Sequence, residues 1–263
     1  MLVIIGVFVA IFGLIIGSFL NVVILRYNSS KGIGGRSQCF SCAKKLEWYE
    51  LLPLVSFVFL RGRCRSCRSD ISYQYPMVET ATAVLFVLLY YSIEPFTLPA
   101  MLYFVIHAIA AAILIVIFVY DLRHKIIPDS LSFTLMAVSF IGLFVGGESL
   151  LHLPQLIDFL SGIIFFAVFG GLWFVSKGRW IGFGDAKLVV SLGWLAGLVF
   201  GVSGIFMAFW LGAVFSVIYL VILKKKRTIR NVEVPFAPYL ILGMYIAWFG
   251  HLDFLFLNAL FFQ

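Results

Sequence analysis

Residues 99–120 read Pro99-Ala-Met-Leu-Tyr-Phe-Val-Ile-His107-Ala-Ile-Ala-Ala-Ala-Ile-Leu-Ile-Val-Ile-Phe-Val-Tyr120, hold no Lys, Arg, Asp or Glu, and run straight into Asp121-Leu-Arg123-His-Lys125. A hydrocarbon core of about 30 Å takes about 20 apolar residues in a helix, so this run predicts a membrane span that stops at a charged boundary. The same pattern recurs along the chain. Of its 263 residues 63% are hydrophobic and 12% charged, where soluble domains carry about 25% charged residues. A two-domain soluble enzyme is excluded, and the fold class is an all-α polytopic membrane protein.

Apolar runs near residues 2–25, 77–93, 99–120, 130–147, 155–175, 188–202, 203–223 and 235–250 predict about eight transmembrane helices. All 19 Lys and Arg fall in four short stretches: Arg26 to Arg68, Arg123 to Lys125, Lys177 to Lys187, and Lys224 to Arg230. The positive-inside rule makes these the cytoplasmic loops, so the net charge of +7 calls for no nucleic-acid partner. The turns at Glu94 to Leu98, at Glu148 to Pro154 and around Gly201, and the tail after Gly250, carry no Lys or Arg and are expected outside. The boundary between the sixth and seventh helices is expected near Gly201, in a stretch that also holds Gly193, Gly197 and Gly204. The first helix has no basic residue before it and is read as a retained span. The basic run Lys224 to Arg227 reads as a topology signal beside anionic lipid.

Three segments follow: 1–25 as the first helix, 26–76 as a cytoplasmic loop, and 77–263 as the remaining helices. Within the loop, Leu51 to Leu60 is a mostly apolar run too short to span, expected at the membrane interface or packed under the loop. The chain's four cysteines, Cys39, Cys42, Cys64 and Cys67, all lie here as two C-x2-C pairs. Two such knuckles make a tetrahedral four-thiolate site suited to zinc. With every position filled by protein, the metal would be structural, pinning a loop too small for a core of its own. Two disulfides or an iron–sulfur cluster are the alternatives, and a reducing cytoplasm disfavours the first. Arg63, Arg65 and Arg68 are expected to offset the thiolate charge.

Acidic residues in or at a membrane are costly unless solvated or paired, which singles out Glu79, Asp121, Asp129 and Asp185. Asp121 closes the third span, and Asp185, in Gly182-Phe-Gly184-Asp185-Ala-Lys187, opens the sixth. Both come to one membrane face on different helices. Two adjacent carboxylates cannot both ionise cheaply, so they would share a proton, one activating water and the other polarising a peptide carbonyl. Gly182 and Gly184 would let a substrate strand approach. The competing reading is two ordinary helix ends; it suits Asp185 at a helix N-terminus, but Asp121 at a C-terminus has the wrong sign for the macrodipole. Asp129, after Ile127-Pro128, reads as the cap of the fourth helix. Glu79 reads either as a ligand-binding or orienting group or as a first-turn acid. His107, in mid-span, reads as a hydrogen-bonded interior residue.

Gly17-Ser-Phe-Leu-Asn21-Val-Val-Ile-Leu-Arg26, the knuckles with Arg61-Gly-Arg-Cys64-Arg-Ser-Cys67, Tyr75-Pro76-Met-Val-Glu79, Asp121 leading to Pro128-Asp129, Gly182 to Lys187, and Pro235-Phe-Ala-Pro238-Tyr occur in this order. Together they closely resemble the type IV prepilin peptidases, including the competence and type II secretion versions, over nearly the whole chain. The resemblance implies a multi-pass bacterial inner-membrane aspartyl endopeptidase that removes the basic leader of prepilins or pseudopilins at the cytoplasmic face, after a glycine. It implies that Asp121 and Asp185 are catalytic, with Gly182, Gly184, Lys187 and Asp129 supporting them in a peptidase segment 77–263. It further implies N-methylation with S-adenosylmethionine, using the loop 26–76, with Glu79 as a cofactor contact. After Glu79 the chain reads Thr80-Ala-Thr-Ala83, where the family pattern often has glycine last, a departure that bears on methyl transfer. Pro235-Phe-Ala-Pro238 looks like the competence-type enzymes.

Two other classes compete. A transporter would relay protons through Asp121, Asp185 and Glu79, but needs them near the midplane, whereas these sit at the boundary. A membrane scaffold docking a partner through the cysteine loop leaves the aspartates without a task.

Overall fold

The computed structural model describes residues 2–28, 32, 34–146, 150–224 and 234–254. Glu148 in its expected external turn, most of the basic run after Lys224 and the end of the tail lie outside them. The chain is helical, with no strand among the described residues, and forms two compact units, Met1–Glu94 and Pro95–Gln263.

The first unit holds α1 (Leu2–Arg26), a 3₁₀ turn (Trp48–Leu51), the short α2 (Val55–Phe59) and α3 (Gln74–Ile93). α1 is apolar all round but buries one narrow stripe, Gly6, Gly13, Gly17, Leu20, Asn21 and Ile24. Among lipid tails burial of apolar surface does not drive helices together, so close backbone approach at small residues must. A Cβ on Gly13 would stand 2.6 Å from Ala83 Cα, and one on Gly17 would stand 2.7 Å from Glu79 Cα. The falling partner numbers make α1 and α3 antiparallel. At the charged end of this seam, buried Asn21 donates to the Tyr75 carbonyl (3.2 Å) and accepts from the Gln74 side chain (3.1 Å).

The second unit holds α4 (Leu98–His124), α5 (Asp129–Gly142), α6 (Leu156–Ser176), α7 (Phe183–Lys224) and α8 (Ala237–Phe249). Thr97 caps α4 by accepting from the Ala100 N–H. α7 packs on α5, α6 and α8, and α4 packs on α5 and α8. The core between them is Leu114, Ile117, Leu135, Phe169, Leu188 and Leu240.

α7 is broken at Gly197, whose backbone (φ 70°, ψ −179°) a side chain would strain. The Asp158 carboxylate on α6 accepts from the Leu198 N–H just past the break, capping the second half of α7. The sixth and seventh spans therefore divide at Gly197 and not at Gly201, because Gly197 is the glycine with a carboxylate opposite. α1, α3, α4, α6 and α7 are long and apolar enough to cross a membrane, with α7 long enough to make two passes. α5 and α8, at 14 and 13 residues, are shorter than the expected 130–147 and 235–250. They reach only about 20 Å at about 1.5 Å per residue.

Candidate active site and four-cysteine centre

Asp121 sits in the last turn of α4 and Asp185 in the first turn of α7, only 4% and 8% exposed. The chain leaves α4 through Lys125 in a left-handed conformation, its N–H on the Asp121 carbonyl (2.8 Å), and turns back through Ile127 and Pro128 into α5. Ile127 is buried against Gly184, where a Cβ would lie 3.0 Å from Ile127 Cβ, so α7 lies close against the connection between α4 and α5 that follows Asp121. The two carboxylates come within electrostatic reach of each other.

Each is held by one main-chain donor. Gly182 N–H donates to Asp185 Oδ2 (3.2 Å), while Asp185 N–H returns to the Gly182 carbonyl (3.1 Å). The Asp121 carboxylate accepts from the Ala237 N–H at the start of α8. A helix N-terminus has free N–H groups, and Pro238 has none to give, so Ala237 is the donor that α8 directs at Asp121. Two buried acids placed in this way can share a proton, an arrangement able to activate water with one carboxylate and polarise a carbonyl with the other.

Lys187, one turn into α7, is buried and pairs with the exposed carboxylate of Asp129 on α5. Its ammonium lies 5.8 Å from the Phe133 ring centre and 5.3 Å from that of Phe183. The Asp129 side chain thus bridges helices and does not cap its own: Pro128 holds the cap position of α5, with no side-chain cap. The ion pair ties the start of α5 to the start of α7, on either side of the loop that follows Asp121.

In the first unit the four Sγ atoms of Cys39, Cys42, Cys64 and Cys67 lie within 4.8 Å of one another, and all four thiols are free. Cys39 Sγ and Cys67 Sγ are 3.8 Å apart, the spacing of ligands about 2.3 Å from a tetrahedral zinc and well beyond a disulfide. The knuckles are built alike. The Ala43 N–H donates to the Cys39 carbonyl and the Arg68 N–H to the Cys64 carbonyl, with Ala43 and Arg68 both left-handed (φ 56° and 61°). Zinc fits this donor set. The Cys39 thiol is pushed down to about 6, chiefly by a hydrogen bond from the Cys42 N–H, and Cys67 is lowered chiefly by the Ser69 hydroxyl. Hydrogen bonds, and not the neighbouring arginines, account for these shifts: Arg63 pairs with Asp70 (3.5 Å) and Arg65 bonds Tyr49 (2.8 Å).

Residues 11–93 match the bacterial peptidase A24 N-terminal domain and residues 108–217 match the type IV leader peptidase family. A prepilin leader peptidase/N-methyltransferase of Aeromonas hydrophila is 30% identical over 91% of this chain and 88% of its own length. That of Bacillus subtilis is 28% identical over 90% of this chain and 91% of its own. The chain belongs to the type IV leader peptidase family. A Myxococcus xanthus relative of the same name is 49% identical over 82 residues, 31% of this chain and 24% of that protein. No solved structure matches the chain.

In this leader peptidase the break between the family's two matched regions coincides with the division at Glu94. Glu79, expected as a cofactor contact, is buried with its carboxylate on the Leu54 N–H (2.9 Å) and the Ser18 side chain. It anchors the chain just before α2, where Leu54 is left-handed (φ 57°). Ala83, at the departure from the family pattern, lies in the α1–α3 seam against Gly13. His107 is an interior residue: Nδ1 donates to the Tyr103 carbonyl (2.9 Å) and its ring lies 5.1 Å from that of Trp248. Sequence reasoning missed Ala237, Leu54 and Asp158. Only Ala237 left a cue, the Pro238 that marks a helix start.

Proposed function

We propose that this leader peptidase is an aspartyl endopeptidase that removes the short basic leader of a type IV prepilin or pseudopilin at the cytoplasmic face, after a glycine. The observation that carries this reading is the pair of buried carboxylates on α4 and α7, each oriented by a main-chain N–H. One carboxylate, ionised, takes a proton from water as the water oxygen attacks the scissile carbonyl carbon. The other, protonated, donates a hydrogen bond to the carbonyl oxygen, and a proton then passes to the departing amine. Lys187 and Asp129 tie the start of α7 to the start of α5.

Prepilin substrates come from the relatives' names, as does N-methylation of the new N-terminus, for which S-adenosylmethionine would supply the methyl group. The cytoplasmic orientation rests on the basic loops bordering both aspartates. Residues 26–76 then form the cytoplasmic segment that serves methyl transfer, with zinc held by Cys39, Cys42, Cys64 and Cys67 in a closed, structural shell. A substrate whose basic leader stays inside while its apolar helix enters the bilayer presents its scissile bond at this face.

Purified protein incubated with a prepilin and methyl-labelled S-adenosylmethionine, followed by N-terminal sequencing of the product, tests the reading. Asp121→Asn and Asp185→Asn are each expected to abolish cleavage with normal insertion, because paired acids act as a unit. Near wild-type processing by either variant overturns the dyad. Cutting elsewhere than after glycine removes that specificity, and an unlabelled product removes the transferase activity.

A further inference from the structure

α2 is too short to be stable alone, yet it turns bulky apolar side chains to solvent. Val58 is 70% exposed and Phe59 83%, and Val55, Leu51 and Leu52 are exposed beside them. The opposite face is occupied: Phe57 packs on Tyr73, with ring centres 5.6 Å apart, and lies under Gly62. A five-residue helix with one face packed and three apolar residues facing outward needs a partner on that outer side.

The depth of α2 in the bilayer says what that partner is. Leu54, its cap residue, is tied by its N–H to Glu79. Glu79 lies five residues beyond Gln74, where the candidate span α3 begins. At about 1.5 Å per residue this is roughly 7 Å inside the start of the span. An amphipathic helix lying on a membrane buries its apolar face about 5–10 Å into the boundary between headgroups and acyl chains, which spans the range from Leu54 beside Glu79 to Phe57 beside Tyr73 at the start of α3. Arg61 (φ 52°) and Gly62 (φ 67°) turn the chain back immediately after it. Arg61 and Arg68 are exposed and have no ion pair among the described residues, whereas Arg63 and Arg65 are engaged with Asp70 and Tyr49. Apolar side chains at the headgroup boundary, followed in the same segment by exposed guanidinium groups on Arg61 and Arg68, match an anionic phospholipid surface in both polarity and charge.

We propose that Val55, Val58 and Phe59, with Arg61 and Arg68, form an interfacial foot that docks the cysteine-bearing segment onto the anionic phospholipid headgroups of the membrane in which α1 and α3 sit. Glu79 is the hinge pin of this foot: by holding Leu54 it fixes the depth at which α2 meets the lipid. The foot rests on α3 being a span and not on the peptidase reading.

The test is hydrogen exchange at the amides of residues 55–63 in the full chain, in nanodiscs of phosphatidylcholine alone or mixed with phosphatidylglycerol. Two arginines at roughly 1 kcal/mol each predict about 30-fold slower exchange over anionic lipid, and raised salt should remove the difference. Arg61→Ala with Arg68→Ala is expected to erase the lipid difference. Val58→Ser with Phe59→Ser is expected to raise exchange in both lipids, with metal content and the exchange of α3 unchanged. Equal exchange of the wild-type segment in the two lipids overturns the proposal. So does protection that appears only on adding prepilin or on raising protein concentration, since a substrate helix or a second copy would then be the occupant. Loss of cleavage with lipid protection intact would count against the proposed function alone.

Discussion

Replacing Gly184 by Ala tests whether the contact behind the aspartates sets their geometry. The added methyl would lie 3.0 Å from Ile127 Cβ and 3.3 Å from Cδ1, against about 3.5–4.0 Å for carbon atoms at rest. Something must yield by about half an ångström or more. Ile127 is buried on a short connection between Asp121 and Asp129, and the Lys187–Asp129 pair holds the far end of that connection, so the loop following Asp121 must move as a whole. Overpacking of this kind costs about 1–3 kcal/mol of stability. A displacement approaching 1 Å at reacting groups costs up to about a hundredfold in rate. Gly184→Ala is therefore expected to lower kcat for prepilin cleavage by about ten- to a hundredfold with little change in KM. Ile127→Gly, which removes the Cβ at 3.0 Å together with Cγ1 and Cδ1, should restore part of that loss in the double variant. Cleavage rates are read in detergent or nanodiscs with matched protein amounts. Full activity of Gly184→Ala, or a double variant no better than the single, would refute the reasoning.

Purified protein is expected to carry one zinc per chain, and Cys39→Ser or Cys64→Ser to lose it and expose residues 38–70 to proteolysis while the aspartates stay in place; near-zero metal under reducing conditions removes the zinc claim. Lys187→Ala is expected to reduce cleavage more than Asp129→Asn, since the ammonium is buried between two rings whereas Asp129 is exposed and its pairing is worth about 1 kcal/mol or less; equal effects would place the importance in the charge pair. Gly197→Ala should lower stability by about 1–3 kcal/mol, measured by thermal unfolding in detergent, because φ 70° strains any side chain and a Cβ would meet Asp158 Oδ1 at 2.7 Å. An unchanged melting temperature would show that the break tolerates a side chain.

The helical membrane class, the four-cysteine cluster and the acidic candidates Asp121 and Asp185 were legible in the sequence. All of these are written in composition and spacing, because the cost of burying charge in lipid and the reach of a C-x2-C knuckle are local matters. Only the tertiary structure decided that Asp129 pairs with Lys187, 58 residues away, and does not cap its own helix. The same holds for Glu79, which holds the Leu54 amide. It also holds for the sixth span, which breaks at Gly197 because Asp158 stands opposite. Ala237 is the extreme case, since its contribution to Asp121 is a main-chain N–H that every residue but proline carries. Which such group is left free and aimed at a carboxylate depends on where a helix begins and what it packs against, and no residue type records that.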